Sequence, residues 1–145
     1  MIWRDVYVAA EVGEAQLREH LAGVFGVTPN RVSVVPNETD MPPLDSYPVV
    51  GVIRRREGEY PYMLSIYLFG DQDTLNNLDE NSLLQALAMH IGCSILAPAN
   101  DPDPYRFVRF SPVGPVEEVG VEPNALDEHG AIKFEGKRRS WPDRI

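Results

Sequence analysis

The chain has 145 residues, 43% of them hydrophobic and 24% charged, a globular composition that excludes a disordered body. Its single cysteine, Cys93, excludes a disulfide scaffold, and no apolar run reaches the roughly 18 residues of a spanning helix. A net charge of −9 argues against nucleic acid, which would demand Lys and Arg to displace counterions, and equally against anionic lipid.

Residues Ile2 to Ala10, centred on Val6, Tyr7 and Val8, read as a strand. From Gly13 to Gly26 the period changes, and Leu17, Leu21, Val24 and Phe25 make one stripe of an amphipathic helix. Arg31 to Val35 is a second strand. Pro36 to Pro48 is a loop rich in Pro, Asn and Asp. Tyr47 to Arg54 and Tyr60 to Phe69 form a hairpin, with Gly58 in its turn. The second of these strands carries bulk on both faces, which predicts a central position. The Arg54-Arg55-Arg56 cluster reads as a solvated hairpin tip.

Gly70 to Glu80 is an acidic loop, in which Asp79 or Asn81 would cap the next helix. That helix runs from about Ser82 to Leu96 and is apolar nearly all round, so it is buried on most sides or offers a face to a partner. Ala97 to Pro104 is a breaker-rich loop. Tyr105 to Phe110, Val116 to Val121 and Ala131 to Glu135 are strands, with a turn or single helical turn at Asn124 to Gly130. The order implies an α+β fold: a mainly antiparallel sheet with two helices packed on one face. Its first part matches the ferredoxin-like βαββαβ order, with a C-terminal hairpin added. Residues 1–135 make one domain and 136–145 a tail.

Few residues suggest catalysis. Cys93 follows His90 by three positions, which would put both on one helical face, but the apolar setting favours a core thiol. His20, His90 and His129 share no ligand spacing. Asp71-Gln72-Asp73 starts like a calcium loop, which Leu75 and Ser82 then break. No phosphate-binding glycine motif occurs. The expectation is a protein without catalytic residues, metal or cofactor. The N-terminus shows neither a basic start nor an apolar stretch, which reads as no signal peptide and a cytoplasmic location.

One feature stands out. From Glu57 to Tyr105 there is no Lys or Arg, and eight acids fall in that stretch. Asp71, Asp73, Asp79, Glu80, Asp101 and Asp103 flank the apolar helix, and with Tyr105 as an aromatic anchor they form the candidate partner-binding set. The alternative for these acids is a solvated, helix-capping surface. A helix from Ser82 to Leu96 would hold the two acidic loops about 22 Å apart.

The C-terminal third adds a resemblance. Pro104-Tyr105-Arg106-Phe107-Val108 leads into Pro112-Val113-Gly114-Pro115, followed by Val119-Gly120-Val121, Ala125-Leu126-Asp127-Glu128-His129-Gly130 and Ile132. This resembles the tail of small acidic immunity proteins from bacterial polymorphic-toxin systems. The resemblance implies neutralisation of one cognate toxin by direct binding, and an acidic surface would suit a basic toxin such as a nuclease. It carries over no catalytic or binding residue. A small-molecule or sensor domain, with a pocket between sheet and apolar helix, is the competing expectation. The apolar helix also leaves a homodimer open.

Overall fold

The computed structural model describes residues 2–43, 46–99, 102–129, 131, 132 and 134. The proposed tail 136–145 and Asp101 lie outside them.

The chain opens with β1 (Ile2–Val8), followed by α1 (Glu14–Phe25), β2 (Val32–Val35), β3 (Val49–Arg55) and β4 (Tyr62–Leu68). A short helix α2 (Gln72–Asn76) precedes α3 (Glu80–Ile91), and then come β5 (Ile95–Pro98), β6 (Arg106–Phe110), β7 (Glu117–Gly120) and α4 (Pro123–His129). The seven strands form one sheet in the order β2-β3-β4-β1-β5-β6-β7. Among the described strand pairs β2–β3 is parallel and the others are antiparallel. The fold is therefore α+β with a mostly antiparallel sheet.

Alternation along the strands sorts side chains to the two faces. Val6 and Val8 of β1, Leu64, Ile66 and Leu68 of β4, and Ile95 and Ala97 of β5 all enter one core. Leu17 and Leu21 of α1 and Leu84, Leu87 and Ala88 of α3 close that core from above, and the two helices pack side by side. Each such leucine contributes roughly 1.5–3 kcal/mol by leaving water. Phe25, at the end of the α1 stripe, meets the Trp3 ring edge-on at 5.4 Å. The apolar character of α3 all round now has a cause: one flank lies on the sheet and another against α1, while Met89 stays exposed.

The opposite face carries a second, smaller core. Leu96, Phe107 and Val121 lie under Tyr60 and Ile132, with Leu126 of α4 and Phe134 packed against them. Tyr7 meets Phe107 edge-on at 5.9 Å, and Tyr60 meets Phe134 at 5.7 Å. Of the expected strand at Ala131 to Glu135, the described residues Ile132 and Phe134 form isolated bridges, with Gly58 and with Val121 respectively.

The sheet order departs from the ferredoxin-like expectation. It adds β2 as a parallel edge strand beside β3 and continues beyond β5 with β6 and β7, while Ile95–Pro98, expected as helix end and loop, forms a strand beside β1. Gly92 adopts φ +83° at the C-cap of α3, a left-handed turn that ends the helix at Ile91, five residues earlier than its apolar run suggests. The helix start is also earlier, at Glu80, because Asp79 accepts the Ser82 backbone N–H and caps it. Tyr62–Leu68 does lie between two strands, β3 and β1, as its two bulky faces require.

Gly58 has φ +100°, and a Cβ there would stand 2.4 Å from the Ile132 carbonyl oxygen. Gly58→Ala should therefore lower the unfolding free energy by at least about 1–2 kcal/mol, the usual cost of a left-handed L-residue, before counting the backbone clash. Urea unfolding measures this. An unchanged midpoint would show that the Gly58–Ile132 bridge does not anchor the second face.

Candidate functional site

The turn at Gly92 sets where the acids fall. The chain runs along α3 and returns along β5, so Pro98 and Ala99 arrive back at the N-terminus of α3. The start of the second acidic loop therefore comes to the end of α3 that the first occupies, not the opposite end. Between them lies a groove of about 530 Å³. Leu84, Ala97, Val108 and Phe110 give it apolar lining, and Arg4, Asp79, Glu80, Asn81 and Glu118 bring polar groups to it.

Each described acid of the predicted set can be placed. Asp71 caps α2, accepting the Thr74 backbone N–H and hydroxyl, both at 3.2 Å. Asp73 is exposed on α2. Asp79 accepts the Ser82 hydroxyl at 2.8 Å and its N–H at 3.3 Å, and these bonds hold its carboxyl below the usual aspartate range. Glu80 pairs with Arg4 at 3.0 Å. Asp103 accepts the Tyr105 N–H at 2.9 Å. At Asp71 and Asp79 the capping role and the acidic surface coincide, because a cap binds its helix through the carboxylate oxygens while the side chain stays exposed.

Tyr105 does not join them. Its ring packs with the second core and its hydroxyl donates to Asp127 at 2.7 Å. Alternation explains the departure: Tyr105 shares a face with Phe107, not with Val108. Glu118, by contrast, was missed and belongs to the groove. It pairs diagonally across β6–β7 with Arg106, while Glu117 pairs with Arg109 directly opposite. The spacing of two arginines against two glutamates on adjacent strands was a readable cross-strand signal.

The arginine cluster is likewise not a uniform solvated tip. It closes β3, so its members alternate. Arg54 is half-buried, donates to the Ser65 hydroxyl at 3.0 Å and lies 3.5 Å from Glu38, which also accepts the Tyr67 hydroxyl at 2.8 Å. Arg55 turns to Glu11 at 2.7 Å and to the Tyr62 ring.

The Cys93–His90 idea fails on geometry. The helix ends at Ile91, so Cys93 lies beyond it and shares no helical face with His90. The His90 ring instead faces that of His20. Burial pushes the half-buried Cys93 thiol up from its ordinary value, the reverse of what a nucleophile needs. Among the described residues no group of three or more His, Cys, Asp and Glu side chains could hold a metal ion. Among them too, no helix is long and apolar enough to cross a membrane. In comparison with known proteins, no family model, curated protein or solved structure matches the chain.

Two outcomes follow. In the native state Cys93 should react with a neutral thiol reagent at least about tenfold more slowly than in urea-unfolded chain; a faster native reaction would reinstate an activated thiolate. For Asp79, the lowered folded value means that the cap stabilises above the ordinary aspartate range and that this is lost as pH falls through the folded value. Asp79→Ala should lower the melting temperature by a few degrees at neutral pH, with the gap closing in strong acid. A gap independent of pH would remove the ionised cap.

Proposed function

We propose that this chain is a non-enzymatic immunity protein, acting in the cytoplasm, that neutralises a cognate bacterial toxin by direct stoichiometric binding. The groove at the N-terminus of α3 docks a basic segment of that toxin. One observation carries the reading: separate stretches of sequence bring Asp79, Glu80 and Glu118 around one groove. Leu84, Ala97 and Phe110 are already buried in the core, so the groove offers a partner a mainly polar, acidic rim, the kind of surface that steers a basic partner and fixes its register. The chain's net charge of −9 adds long-range attraction for a basic partner and raises its encounter rate. The resemblance of the C-terminal third to acidic immunity proteins supplies the toxin as partner.

The test has two parts. Affinity capture from the native bacterium should return one stoichiometric partner, and co-expression should suppress that partner's toxicity. Capture without suppression would sink the inhibitor reading. The combined variant Asp71→Asn, Asp73→Asn and Asp79→Asn keeps both caps, since Asn caps as well as Asp, and leaves the Arg4–Glu80 pair intact. It should slow association about tenfold and flatten its salt dependence. Unchanged kinetics would take this edge out of the interface.

A second reading has its own observation. The groove volume falls within the roughly 300–1,000 Å³ of small-molecule sites, and Arg4, Asp79, Glu80 and Asn81 converge on it as polar groups. A thermal-shift screen on the isolated protein separates the two, because only this reading expects stabilisation without a protein partner.

A further inference from the structure

The far end of α3 carries a different arrangement. His20 is half-buried on α1, and His90 sits in the last turn of α3. Their ring centroids are 6.3 Å apart, with planes at 60°. They share a cleft of about 410 Å³ with Glu11, Gln16 and Glu19. The His90 ring rests on bare helix backbone, since a Cβ at Gly23 would stand 2.7 Å from its Cε1.

We propose that this pair makes the α1–α3 seam an acid-sensitive joint, in which half-buried His20 packs beside the exposed His90 ring as a neutral imidazole and a proton on His20 loosens the seam. The charged groups around the cleft set the sign. From α1, Glu19 attracts a proton to His20, and from α3, His90 opposes it. From the connection before α1, Glu11 lines the cleft, but its carboxylate is held by Arg55 at 2.7 Å and by the Tyr62 hydroxyl at 3.0 Å. Burial is the largest influence, and with His90 it outweighs Glu19, holding His20 below the ordinary histidine range. The folded chain therefore resists a proton that the unfolded chain accepts. The seam's contribution is full above the ordinary histidine range and is lost as pH falls from there through the folded value. A device of this kind loosens α1 on mild acidification before most carboxylates titrate.

Gly23→Ala gives a test that removes no titratable group. The added methyl displaces the His90 ring, a movable side chain, while Ala favours the helix. Histidine ring protons followed by NMR from about pH 8 to about pH 5 should show the His20 midpoint moving up in Gly23→Ala and in His90→Gln relative to the parent. Thermal unfolding over the same range should fall more steeply for the parent than for either variant. A His20 midpoint identical in all three proteins, or identical unfolding slopes, would overturn the proposal.

Discussion

The structure depends on a short pairing at the middle of the sheet. Strands β2, β3 and β4 form one half and β5, β6 and β7 the other, and β1 joins them. On the β5 side the ladder is brief, with Tyr7 opposite Leu96 and Val8 opposite Ile95, extended by the Ala9 N–H to the Ser94 carbonyl at 3.0 Å. So few backbone bonds would hold two halves weakly on their own. What secures the seam is burial on both faces: Val8 and Ile95 lie under the helices, while Tyr7 and Leu96 lie in the second core. The left-handed turn at Gly92 makes the pairing possible, because it ends α3 and sends the chain back beside β1.

That same turn marks the limit of what the sequence could disclose. Strands with clear alternation were legible: Leu64, Ile66 and Leu68 announced one face of β4, and the Tyr47–Phe69 hairpin followed from its turn. The stripe Leu17, Leu21 fixed α1. Ile95–Pro98 was hidden because it is apolar on both faces, and a short apolar run continuing an apolar helix has no period of its own. Gly92 was the available signal, a glycine at a helix stop, outweighed by the apolar residues beyond it. Missing β5 also misplaced the second acidic loop, so the groove could not be anticipated even though Asp79 and Glu80 were.

The acids teach a related point. Asp71 and Asp79 fit both a capping and a surface reading, and the structure shows why these do not compete. A capping carboxylate gives up one oxygen to backbone N–H groups and keeps its charge at the helix end, where it also projects into solvent. Local folding rules thus place negative charge at a particular edge for structural reasons, and a basic partner can use it afterwards. Glu118 differs, since it caps nothing. Its charge is offset by Arg106, and its presence beside the groove follows from the β6–β7 register alone. Residues of that kind are invisible until strand pairing is known.

The helix α3 is where these strands of argument meet. Its N-terminal turn walls the groove through Asp79, Glu80, Asn81 and Leu84, and its last turn carries His90 into the seam with α1. Between them Leu84, Leu87 and Ala88 are buried and leave the middle of the helix little freedom. With about 1.5 Å of rise per residue, the two ends are more than a helical turn beyond the reach of direct charge screening in physiological salt. Any influence of one end on the other must therefore travel as rigid-body motion of the helix on the sheet. The close packing of its buried leucines opposes such motion, since displacing them would open space that the core does not have.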